Sequence, residues 1–225
     1  VVGQGFKGLK MQVGRPGLHT RKIPPPVGEI IARDALRIRG VRAAVGPEVE
    51  IAIDAGCRLD LPSAVRLALS VEDQDIAFFE EAIMQNDVKL LAEMRRKTKI
   101  PLTAGQNEGL AYRFRDMLVE GAVDLVQPNV IITGGLTQCL RIAGMAEAFN
   151  VQISNGGGAP FQNRHLQAGG GNGTALEWQF NAVLACSAIY KDLPGHEDGW
   201  MVMSDDPGLG LTADREAIDR LVDKG

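Results

Sequence analysis

An apolar stretch closed by an oxygen-bearing side chain recurs three times at one interval. That recurrence constrains the fold more than anything else in the chain. Val49-Glu50-Ile51-Ala52-Ile53 ends at Asp54, Ile76-Ala77-Phe78-Phe79 ends at Glu80, and Ile100-Pro101-Leu102-Thr103-Ala104-Gly105 ends at Gln106; both intervals are 26 residues. Short apolar runs read as buried strands. The residues between them carry helical patterns: Pro62 to Val71, with Pro in the first turn, Val88 to Thr98, and Leu110 to Glu120. Three polar side chains at one level of three successive strands have two explanations. Each could cap the loop that follows it, or together they could hold a hard divalent ion through oxygen, with Mg2+ the best match. The common period favours the second.

The alternation extends in both directions. Phe6 to Val13 alternates and reads as a strand, placing Lys10 and Gln12 on one side. A Gly- and Pro-rich loop, Gly14 to Thr20, leads to a helix opened by Pro24-Pro25-Pro26 and running to about Ala44. Its expected apolar face is Ile30, Ile31, Leu36, Ile38 and Val41. Beyond Gln106, strands are expected at Val123–Gln127 and Val151–Ser154 and a last one at Ala175–Trp178. Helices are expected at Leu136–Phe149 and about Arg164–Ala168. Strands alternating with helices imply parallel strands joined by crossovers, and seven such units point to an α/β fold of the (β/α) barrel type. The competing arrangement is a doubly wound open sheet. No Gly-x-Gly-x-x-Gly follows the first strand, and Gly169 to Gly173 lies before a strand, as a plain loop would. Residues 1–225 are expected to form a single barrel domain, with the last ~40 residues a C-terminal tail packed on it.

Charge and cysteine content set the remaining bounds. A formal net charge of −4 argues against a nucleic-acid partner. Arg95-Arg96-Lys97 reads as a solvated last helical turn. Cys57, Cys139 and Cys186 are far apart, show no metal-binding spacing, and suit a reducing, cytoplasmic setting. No apolar run reaches the length of a membrane span, and no membrane partner is expected.

Several short stretches together resemble the enolase superfamily, in its mandelate racemase/muconate lactonizing branch. They are Leu9-Lys10-Met11-Gln12-Val13, Ile53-Asp54-Ala55, Phe79-Glu80-Glu81, Ala104-Gly105-Gln106-Asn107-Glu108, Pro128-Asn129 with Thr133-Gly134-Gly135, and Pro207-Gly208-Leu209-Gly210. The resemblance implies a barrel domain in which Asp54, Glu80 and Gln106 bind Mg2+. It implies removal of a proton α to the carboxylate of a small hydroxy or sugar acid, with the metal stabilising the enediolate. Relatives finish by losing a β-hydroxyl, as sugar-acid dehydratases, or by returning the proton, as racemases.

The same resemblance implies that the first barrel strand and an N-terminal capping domain are lacking here, and the open edge of a sheet short of one strand predicts a homo-oligomer that covers it. The usual Lys-x-Lys becomes Lys10-Met11-Gln12, so Lys10 is the expected base and Gln12 stands at the usual base position without a titrating group. Gln106 replaces a Glu, with Glu108 close by as a substitute and Glu81 a weaker candidate. Asn129 stands where many relatives have Asp, and no His stands near Gly156. His19 and Asn155 are expected to contact substrate. His165 reads as a packed helix residue and His196 as part of a surface turn. A barrel that keeps a relict site without catalysis is the competing class.

Overall fold

The computed structural model describes residues 2–14 and 25–222. His19 and Pro24 lie outside the described residues. The chain divides into two compact units: residues 1–105 with 112–126, and residues 106–111 with 127–225.

The first unit is a parallel sheet with one helix after each of its first four strands. Strand β1 (Gly8–Gln12) is followed by α1 (Val27–Val45), β2 (Glu50–Asp54) by α2 (Leu61–Val71), β3 (Ile76–Glu80) by α3 (Val88–Arg95), β4 (Leu102–Ala104) by α4 (Ala111–Val119), and β5 (Leu125–Val126) closes the run. Each strand pairs in parallel with the next. The helix starts are set locally. Asp60 accepts from Ser63 N at 2.9 Å to cap α2, and Asp87 accepts from Lys89 N and Leu90 N to cap α3. Each cap satisfies a backbone donor that the helix cannot satisfy itself.

Helix α1 departs from expectation. Its buried residues are Ile30, Ile31, Asp34, Ala35 and Ile38, whereas Leu36 is 69% exposed. Leu36 falls off the stripe that a 3.6-residue period builds on Ile31, Ala35 and Ile38. The stripe instead admits a carboxylate: Asp34 accepts from Gly14 N at 2.7 Å and pairs with Arg37, which also donates to the Gln12 carbonyl. Thus α1 grips the chain where it leaves β1. The Arg95-Arg96-Lys97 turn at the end of α3 is exposed, as expected. Arg95 pairs with Asp124 at 2.5 Å, which holds the guanidinium pKa above its usual range, while Lys97 pairs with Glu93.

The second unit holds α5 (Val130–Thr133), α6 (Gly135–Ala148), β6 (Gln152–Ile153), α7 (Pro160–Gly169), α8 (Phe180–Ser187), the antiparallel pair β7 (Tyr190–Lys191) and β8 (Thr212–Ala213), and α9 (Arg215–Val222). The strand expected at Ala175–Trp178 is not formed. The β6 ladder ends at an isolated bridge between Ile153 and Gly173, flanked by Ile153 N to Asn172 O and Thr174 N to Ile153 O. Past that point the Asn155 side chain takes the Glu177 N–H at 2.9 Å, a bond that a continuing ladder would make with backbone. The C-terminal residues include β7, β8 and α9. Among the described residues no helix is long and apolar enough to cross a membrane.

Candidate active site

The first unit gathers one group of polar side chains on one face of its sheet. Register pairs Gln12 with Asp54, Asp54 with Glu80, and Glu80 with Thr103. Paired residues of parallel strands project to the same side, about 4.8 Å apart. Asp54 and Glu80 are therefore neighbours at the strand ends, 6% and 0% exposed. Lys10, two residues before Gln12 and on the same face, reaches Glu80 Oε2 with its Nζ at 2.6 Å. Asp54 Oδ1 accepts the Gly56 N–H at 2.7 Å, which fixes the carboxylate's orientation. Two buried carboxylates side by side repel, and the Lys10 ammonium offsets part of that repulsion.

The adjacent acid points elsewhere. Glu81 sits in the left-handed region at φ 44° and accepts from Asn86 Nδ2 at 3.0 Å. Gln12 is exposed at the end of β1. Among the described residues no three of His, Cys, Asp and Glu converge as a metal cluster, so on this face the acidic donors are the Asp54–Glu80 pair.

The second unit builds a different network. Asn129, fully buried, caps α5 by accepting from Ile131 N and donates to Gly156 O at 2.8 Å; it also accepts from Asn163 Nδ2. Asn163 donates further to Gly158 O and Ala159 O and accepts from Val130 N. Asn155 donates to Gly158 O besides holding Glu177 N. Glu177 in turn accepts the Gly158 N–H at 2.9 Å, just ahead of α7. A Cβ on Gly157 would come within 2.9 Å of Asn129 Nδ2 and 3.2 Å of Gln106 Oε1, which places the Gln106 amide beside Asn129 in this unit.

Sequence reasoning singled out Asn129 and Asn155, which the fold sets around one glycine loop. It missed Asn163 and Glu177. Their only signal was polarity: an Asn just before an expected helix and a Glu inside an expected strand. His165 packs with Nε2 3.3 Å from Leu209 O, and His196 stacks edge-on against Trp178.

Comparison with known proteins agrees with this architecture. Residues 1–217 match the family described as Enolase C-terminal domain-like. Arabinonate dehydratase of Saccharolobus solfataricus is 27% identical over 94% of this chain and 54% of its own length. A mandelate racemase/muconate lactonizing enzyme-like protein of Rubrobacter xylanophilus superposes with TM-score 0.84 at 32% identity, over 97% of this chain and 58% of that one. L-Talarate dehydratase of a Polaromonas species, crystallised with Mg and L-glucarate, superposes with TM-score 0.83 at 25% identity, over 97% and 56%. The chain thus spans about half the length of the relatives it matches. The fold class is the expected one, α/β of the enolase-superfamily barrel type. The chain belongs to the Enolase C-terminal domain-like family, in the mandelate racemase/muconate lactonizing branch of the enolase superfamily.

Proposed function

We propose that this protein removes the proton α to the carboxylate of a sugar acid in a Mg2+-dependent reaction and completes it by dehydration. The observation that carries this reading is the Lys10–Glu80 contact of 2.6 Å beside the Asp54–Glu80 pair. The donor chemistry fits the ion: two buried carboxylates on rigid strand ends, one held in orientation by a backbone N–H. Asp54 and Glu80 would hold it; Gln106 remains a third oxygen donor on the sequence interval alone. When bound, the ion supplies stabilisation for negative charge developing on the substrate carboxylate.

Lys10 is a titratable nitrogen on this face, and its role is to take the α-proton. Its ammonium is held by Glu80 at 2.6 Å, so it serves as base in the neutral form, after its own proton has passed to solvent. A single group that takes the α-proton and gives it to the departing β-hydroxyl on the same side balances the elimination: the Cα–H and Cβ–O bonds break, a C=C bond forms and water leaves. Racemisation needs a second proton carrier, and neither Gln12 nor Asn129 titrates, so dehydration is favoured. Arabinonate, galactonate and rhamnonate dehydratases among the relatives support the same class.

A cytoplasmic setting and a homo-oligomer belong to this proposal. Unbridged Cys139 and Cys186 support the first. Exposed Phe180, Leu184 and Trp200 support the second, and a monomer in light scattering would remove it. The test is α-proton exchange into deuterated water, measured over a panel of sugar acids with Mg2+. Exchange that is lost in Lys10→Met supports the reading. No exchange over the panel, together with no calorimetric Mg2+ binding, leaves a non-catalytic barrel.

A further inference from the structure

Thr103 is the middle residue of β4, and its hydroxyl is an anomaly. The residue is 1% exposed, and its Oγ1 has no hydrogen-bond partner among the described residues. Its carbonyl is used in the sheet, accepting Glu81 N at 2.9 Å, and its strand neighbours Leu102 and Ala104 are buried and apolar. A buried, unpaired hydroxyl costs about 1–3 kcal/mol. Valine would fill the same space, keep the β-branched shape that suits a strand, and avoid that cost. A strand residue chosen for packing alone would therefore be valine.

The register shows what the hydroxyl faces. Thr103 pairs with Glu80 on β3, and Glu80 pairs with Asp54 on β2. All three side chains project to one face, with Thr103 about 4.8 Å along the sheet from Glu80. The unsatisfied group is thus the next polar position in the row of carboxylates. Mg2+ gives up its hydration shell reluctantly and keeps several waters when only one or two carboxylates bind it. A water on a dication is a strengthened donor, and a threonine oxygen with no other partner is a ready acceptor.

We propose that Thr103 is a positioning residue for the cation at Asp54 and Glu80, its hydroxyl accepting a hydrogen bond from a water of the hydrated ion. This rests on the Mg2+ reading above and assigns a role to a side chain outside the carboxylate pair. The hydroxyl fixes where the hydrated ion sits against β3 and so tightens its binding; it takes no part in proton transfer.

The experiment compares wild type with Thr103→Val, Thr103→Ala and Thr103→Ser by calorimetric Mg2+ titration and by thermal melts with and without Mg2+. Wild type and Thr103→Ser should bind alike, and Thr103→Val should bind about three- to tenfold more weakly, the worth of one hydrogen bond. Metal-free Thr103→Val should melt at or above the wild-type temperature, and Mg2+ should raise its melting temperature less than it raises that of wild type. Thr103→Ala gives the binding comparison if the valine variant misfolds. Equal Mg2+ affinity in wild type and the hydroxyl-free variants overturns the role of Thr103 while leaving the cation site. A wild type that binds no Mg2+ overturns both. A metal-free Thr103→Val that melts well below wild type shows a structural partner for the hydroxyl and also overturns the proposal.

Discussion

Removing Lys10 should destabilise the protein far more than its partial exposure suggests, and removing Glu80 as well should restore most of the loss. Lys10 Nζ lies 2.6 Å from Glu80 Oε2, with side chains 17% and 0% exposed. At an effective dielectric of about 20, two unit charges at that separation attract by about 6 kcal/mol. Desolvation cancels part of this, so the relevant quantity is what is left behind. Lys10→Met leaves the buried Glu80 carboxylate beside Asp54 without the Lys10 ammonium. Leaving one member of a buried pair costs about 3–5 kcal/mol. Lys10→Met with Glu80→Gln removes the stranded charge, and its cost should fall to about 1–2 kcal/mol, that of an imperfectly bonded amide. Urea unfolding of the four proteins of the cycle measures the coupling, with unchanged m-values as the control. Mg2+ should stabilise Lys10→Met more than wild type, because the ion then replaces the lost positive charge. A single variant within about 1 kcal/mol of wild type, or a double variant as unstable as the sum of the singles, would refute this account of the pair.

Gly157→Ala should cost about 1–3 kcal/mol in urea melts, because φ is +74° and the new Cβ would press on Asn129 and Gln106; Gly135→Ala, at φ +86° with open space, should cost only the backbone term of about 1 kcal/mol. Asp60→Ala removes the cap bond to Ser63 and should lower stability by about 1 kcal/mol in the same assay, with Asp60→Asn largely restoring it. Burial pushes the Cys139 thiol up to about 11 from 9.0, so it should not react with thiol reagents in the native protein at pH 8. Because its folded pKa is raised, the protonated thiol's contribution is whole below pH 9 and is lost as pH rises toward 11. Cys139→Ala should therefore flatten the fall in stability over that window, read by melts at each pH.

The order of elements could be read from the chain because it depends on near neighbours. Apolar runs at a regular interval, with helical patterns between them, gave β2, β3 and β4 and the helices that follow. Early Pro62 placed α2 to within a residue. Two expectations failed for one reason. Leu36 and residues 175–178 have the composition of a buried helix position and a strand, but which helix face is buried and which backbone donor is taken depend on groups distant in sequence. Asp34 is needed to hold Gly14, and Asn155 takes the backbone donor that a strand at Glu177 would have offered β6.

The sequence by itself determined the fold class, the family and the level at which Asp54 and Glu80 stand, because a period sets strand ends and strand ends set that level. Only the tertiary structure decided what those groups do to one another. Lys10 and Glu80 are 70 residues apart and meet because β1, β2 and β3 pair in one register. The same register puts Thr103, an ordinary strand residue by sequence, in the row of the carboxylates. Asn129 and Asn155 have the chemistry of ligand-binding amides, yet they spend their hydrogen bonds on the glycine loop at 156–158. A side chain's chemistry is written in its type; its partner is whatever the long-range packing brings within 3 Å.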